Sequence, residues 1–148
     1  MPDSIESLVR SIIQVLHDGH LGFAEIGHHL RDRSAKEFFL KESLTRQQFA
    51  GELEAELQRS GVHDVKEGGT ASGAVHRAWS ELKAHLGGSD HTLLVTAEEG
   101  EDEAKKVYQK ALEHRELPLP LRQILASQQE HIVAVHEKIK ALRDNRAA

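Results

Sequence analysis

Four long segments each carry a single apolar stripe at helical spacing, and that pattern most narrowly limits what the chain can fold into. In the first, about 4–30, Ile5, Leu8, Val9, Ile12, Ile13, Leu16, Phe23, Ile26 and Leu30 recur at steps of mostly three and four. That is one face of a helix. The second, about 34–60, shows Ala35, Phe38, Phe39, Phe49, Leu53 and Leu57 and stops at Gly61. The third, about 90–114, shows Leu93, Leu94, Ala97, Ala104, Ala111 and Leu112. The fourth, about 119–143, shows Leu121, Ile124, Leu125, Ile132, Val135, Ile139 and Leu142. Helices of this length span roughly 38 Å at about 1.5 Å per residue.

The punctuation between the stripes sets the topology. Ser34 and Glu37 match a capping box at the start of the second helix, and Ser89 or Asp90 can cap the third. Gly19 and Gly22 allow a kink in the first helix. Pro118 and Pro120 punctuate the last turn. Gly61 to Gly73, with Gly68 and Gly69, reads as a long loop. A short helix over about 74–86 follows it, with Val75, Ala78, Trp79, Leu82 and Leu86 on one side. Short turns join the first two long helices and the last two, so each pair is antiparallel. The long crossover between the pairs predicts an all-α, ferritin-like antiparallel four-helix bundle that carries a short extra helix in the crossover. A chain of 148 residues favours one such domain over two.

Composition removes several function classes. The chain has no cysteine, so disulfides, thiolate zinc sites and thiol catalysis are excluded. The net charge is −5 and no Lys/Arg cluster forms a basic face, so no nucleic-acid partner is expected. No stretch of about 18 apolar residues predicts a membrane span, and the start of the chain lacks a signal-peptide pattern. A cytoplasmic location is the expectation. A homo-oligomer through helix faces is compatible with the pattern. No nucleophile, base and orienter triplet is legible, and no catalytic residue is assigned.

The informative residues are the polar ones inside the stripes. At 100° per residue, Glu42 and Arg46 fall within the second stripe, and Glu101 and Tyr108 within the third, with Glu98 at its edge. Gln128 falls within the fourth, flanked by His131 and His136. Gly19 and Gly27 take inward positions on the first. Glu42, Arg46, Glu101, Gln128, His131, Gly19 and His20 lie within about two turns of their helix midpoints, which predicts a mid-bundle polar layer. Burying charge is costly without a partner, so the layer needs a chemistry, and two fit. One is a divalent metal site for iron, manganese or zinc, with Glu101, Glu42, Glu98, His131 and His136 as candidate ligands. The other is an ion-pair network with Arg46 between Glu42 and Glu101, and with Gln128 and Tyr108 filling the remaining hydrogen bonds. The lone Glu-x-x-His pair, Glu25 with His28, points away from its stripe. The other histidines fall mostly on polar faces. His76-Arg77 beside Trp79 could form a small-anion pocket, but Trp79 is expected rather to pack the crossing helix onto the bundle.

Four motifs in order carry a resemblance. They are Asp18-Gly19 with Gly22-Phe23-Ala24-Glu25; Arg46-x-x-Phe49-x-x-Glu52-Leu53; Gly73-x-x-His76-Arg77-x-Trp79 with Leu82-Lys83; and Glu98-x-Gly100-Glu101-Asp102-x-Ala104 with Tyr108 and Ala111-Leu112. Together they resemble a bacterial domain-of-unknown-function family, number 2383, described as ferritin-like four-helix bundles, over about Ser4 to Arg143. The resemblance implies a ferritin-like fold and a bacterial, cytoplasmic, stress-linked protein. The carboxylates it matches are Glu25, Glu52, Glu98, Glu101 and Asp102. Of these only Glu101 also faces inward by helical phase.

Overall fold

Local capping fixes several of the helix ends in the computed structural model. The structure describes residues 2–62 and 73–146. It contains α1 (Asp3–His29), α2 (Arg33–Arg59), α3 (Gly73–Ser80) running into a 3-10 turn (Glu81–Ala84), α4 (Asp90–Leu112) and α5 (Leu119–Asp144). The Gly68-Gly69 part of the expected loop lies outside the described residues.

The start of α2 differs from the expected capping box. Asp32, not Ser34, is the cap, and its carboxylate accepts the Ala35 amide at 2.8 Å. The helix therefore begins before Ser34, and Glu37 pairs along the surface with Arg33 instead. A carboxylate suits this position because it meets both the free amides and the positive helix end. At the other end of α2, Gly61 takes φ +93°. The amides of Gly61 and Val62 return to the carbonyls of Gln58 and Leu57, a left-handed glycine closure. Ser89 caps α4 through the Thr92 amide. Asp90, the other expected cap, turns outward and accepts the amides of Arg31 and Asp32 at 2.8 and 2.9 Å. It thereby ties the α1–α2 turn to the start of α4. Arg122 donates to the carbonyls of Leu112 and His114 and closes α4 against α5.

Helices α1 and α2 pack along their length, as do α4 and α5, while α1 meets α4 and α2 meets α5. Neighbours run antiparallel: His20 faces Ser43, Tyr108 faces Gln128, and Glu42 faces His131. Helices α2 and α4 therefore run in the same direction across the bundle diagonal, which is what a full-length crossover produces. The interior joins Ile5, Ile12, Leu16, Phe39, Leu53, Leu94, Leu125, Ile132 and Ile139 among others into one apolar cluster. Phe38, Phe49, Leu112, Ile124 and Leu142 sit at its margin.

Two glycines of α1 have a different use from the kink that sequence allows. The helix runs unbroken through Gly19 and Gly22. Gly22 faces Trp79 so closely that a Cβ there would lie 2.2 Å from its ring, and a Cβ at Gly100 of α4 would lie 2.5 Å from the other side of it. Trp79 thus wedges between α1 and α4 and anchors α3, as expected of the crossing helix. Its ring also packs on Phe23, centroid to centroid 5.5 Å. No described helix is long and apolar enough to cross a membrane.

Candidate functional site

The bundle centre is built around one guanidinium. Arg46 of α2 is 1% exposed. Its Nε donates to Glu42 Oε2 at 2.7 Å, one turn earlier on the same helix. Its Nη1 and Nη2 donate to Glu101 Oε1 and Oε2 of α4 at 2.7 and 2.6 Å. Glu101 is 0% exposed. This two-point fork is the geometry a guanidinium and a carboxylate share. The Phe23 ring lies under the guanidinium at 4.8 Å, a cation–π contact. Gly19 of α1 lies against the Arg46 side chain, and a Cβ there would make ordinary contact, 3.4 Å from Nη1.

Glu42 has a second partner. His131 Nε2 of α5 lies 2.9 and 3.0 Å from its two oxygens. An ionised carboxylate only accepts, so Nε2 carries the hydrogen and donates. The imidazole stands edge-on to Phe49 at 5.2 Å. Its side chain is 39% exposed, so this member of the layer reaches solvent. The network therefore joins three helices, α2, α4 and α5.

Tyr108 and Gln128 were expected to complete this network, and the structure separates them from it. Tyr108 Oη donates to Gln128 Oε1 at 2.7 Å, and Gln128 Nε2 donates to the Phe49 carbonyl at 3.2 Å. The pair is a neutral bridge linking α4, α5 and the backbone of α2. Tyr108 and Gln128 satisfy each other and the Phe49 carbonyl instead of the charged groups.

Burial alone would raise the Glu42 pKa, but the hydrogen bond from His131 and the charge of Arg46 outweigh it and hold the carboxyl below its ordinary value. For Arg46 burial opposes charge, and the two carboxylates more than reverse that, raising its pKa. Burial pushes the Tyr108 phenol up, so it stays a neutral donor.

The remaining candidates lie elsewhere. Glu98 is paired by one oxygen with Arg143 and is 4.0 Å from His136 by the other. His136 Nε2 is 2.6 Å from Asp102 Oδ1, close enough for an ion pair but out of line for a hydrogen bond, and neither ring nitrogen has a hydrogen-bond partner. This second cluster sits on the α4–α5 edge. Glu25, His28 and Glu52 are exposed. The sequence candidates thus split into Glu42, Glu101 and His131 at the centre, and Glu98 with His136 at the edge. Among the described residues no group of three or more His, Cys, Asp or Glu side chains is arranged to hold a metal ion. At the centre the cause is visible, because Arg46 takes both oxygens of Glu101 and one of Glu42. The residues present do not fit a resident metal there.

Sequence reasoning missed the Phe23 floor under Arg46 and a third buried acid, Asp18. Asp18 accepts from Gln14 Nε2 at 3.0 Å and faces His76 of α3 at 3.3 Å. The spacing of Gln14 and Asp18, one helical turn apart, was the available signal.

A family model described as a domain of unknown function (DUF2383) matches residues 4–114. The match covers α1 to α4, with Glu42, Arg46 and Glu101, and stops short of α5. Among curated proteins no match was found.

Proposed function

Because the chain belongs to this family of domains of unknown function, DUF2383, its role has to be read from its own residues, and we propose a non-enzymatic interaction bundle whose inner charges are structural. In this reading Arg46 is the internal counter-cation and stands where a bundle of this kind could hold a metal. One observation carries it: both oxygens of the fully buried Glu101 accept from the same guanidinium that also binds Glu42. A ferritin-like, single-domain description is supported by the parallel course of α2 and α4 and by the one shared apolar cluster. A bacterial, cytoplasmic, stress-linked setting rests on the motif resemblance.

The network gives the bundle a registry. A slide of α4 along α2 by one turn would strand Glu101 in an apolar interior and leave Arg46 with Glu42 alone; an unpaired buried charge costs several kcal/mol, about 3–5 by removal of one partner. Apolar side chains alone penalise such slips less. A role for the outer helix faces in self-association is supported by exposed Leu44 on α2 and Leu119 on α5.

The test is elemental analysis of chain purified without chelator, followed by titration with iron(II), manganese(II) and zinc(II). The expected result is metal well below one ion per chain and no saturable binding that depends on Glu101. Stoichiometric metal that Glu101→Gln removes would overturn the proposal.

A further inference from the structure

A cavity of about 310 Å³ opens between α1 and the α3/3-10 segment, and it is chemically distinct from the central layer. Its apolar wall is Trp79 with Leu82, Leu86 and the exposed Leu21. Trp79 is held between Gly22 and Gly100, so this wall is preformed and cannot retreat. On the α1 side stands Asp18, which is 8% exposed. Its described partners are the Gln14 amide and the His76 ring. The His76 side chain is 65% exposed, and its contacts with the carboxylate are long, 3.3 and 3.4 Å. Two turns along the same face, about 10 Å away, Glu25 also lines the cavity, and its carboxylate has no partner among the described residues. Lys83 on the opposite rim is likewise without one.

A buried carboxylate with a neutral amide and a weakly held imidazole is under-compensated. The cavity combines it with a fixed aromatic and aliphatic wall, the usual make-up of a small-molecule site: mostly apolar, a few placed polar groups and a volume of about 300–1,000 Å³. We propose that this groove binds a small organic cation with an apolar body, an arylalkylamine in class. Its ammonium displaces the His76 ring and donates to Asp18, and its apolar body lies along Trp79, Leu82 and Leu86. Asp18 and Glu25 together disfavour anions, and the volume suits a molecule of some ten to twenty heavy atoms better than a protein interface, which needs about 800 Å² from each partner. Nothing in this proposal depends on the central layer.

Trp79 is the sole tryptophan, so its emission reports the site. The test titrates the full chain with phenethylamine, neutral 2-phenylethanol and anionic 3-phenylpropanoate. The expected result is a saturable change in Trp79 emission with phenethylamine, binding about tenfold weaker for the alcohol and none for the acid. Asp18→Asn, verified as folded by circular dichroism, is expected to bind phenethylamine about tenfold more weakly. Lys83→Gln, which removes a like charge from the rim, is expected to bind it more tightly. Equal binding of the three probes, no response to any, unchanged affinity in Asp18→Asn, or an emission change that follows protein concentration because a second copy fills the groove, would each overturn the proposal. None of these results bears on metal content, so failure here is separate from failure of the structural reading of Arg46.

Discussion

Arg46 and Glu101 meet across the diagonal of the bundle as a two-point fork, with Nη1–Oε1 at 2.7 Å and Nη2–Oε2 at 2.6 Å, and neither side chain reaches solvent. They lie on helices that run the same way and that the chain joins only through its long crossover. This pairing thus reports the assembly of the two halves rather than the stability of either hairpin. A buried pair of this kind contributes little net stability over well-packed apolar residues, yet losing one partner is severe.

Glu42 makes the fold sensitive to acid. Its folded pKa lies below the ordinary 4.5, so the carboxylate binds fewer protons in the folded state. Its contribution is complete above about pH 4.5 and is lost as pH falls below that value through the folded pKa. Urea unfolding from pH 7 to pH 3 is expected to show a steeper acid loss for the natural chain than for Glu42→Gln. Parallel curves over that range would contradict the assignment.

Tyr108→Phe removes the donor that Gln128 Oε1 uses and leaves that oxygen buried beside a ring of the same shape. The expected cost is about 1–2 kcal/mol, with the urea m-value unchanged because the exposed surface on unfolding is the same. A neutral result would mean that Gln128 finds another donor.

Gly100→Ala sets a propensity gain against a clash. A helix gains roughly 1 kcal/mol when Gly becomes Ala. Here the new methyl would meet the Trp79 ring at 2.5 Å while Gly22 of α1 blocks its retreat. Overpacking of this sort costs about 1–3 kcal/mol, so a lower melting temperature is expected. Trp79→Leu in the same chain should make Gly100→Ala neutral or stabilising, a coupling that a double-mutant cycle reads directly.

Much of this architecture was legible in the sequence because helical periodicity is a strong signal. The stripes located all four long helices, and the phase argument placed Glu42, Arg46, Glu101, Tyr108 and Gln128 inside, where all are buried. Phase gives direction and not partners. It put Glu98 at the edge of its stripe and His136 on a flank, but it could not divide Tyr108–Gln128 from the charged trio or match Glu98 to Arg143 and His136 to Asp102, because those outcomes depend on how far α5 slides along α4. The capping box at Ser34 failed for a local reason, since Asp32 offers a stronger acceptor two residues earlier. The sequence set His76 beside Trp79 as a candidate anion pocket, but the acidic side that Asp18 and Glu25 supply was illegible because it arises where α3 crosses α1, a contact between residues more than 50 apart.

We propose Arg46 as the internal counter-cation of a structural network. Urea unfolding free energies at pH 7 of the natural chain, Arg46→Met, and the combined Glu42→Leu, Arg46→Met, Glu101→Leu chain test it most directly. The prediction is a loss of about 3–5 kcal/mol in the single variant, where Glu101 is left buried and unpaired and Glu42 keeps only His131, and recovery of most of that loss in the combined one. A single variant as stable as the natural chain, or a combined variant no more stable than the single one, would contradict it.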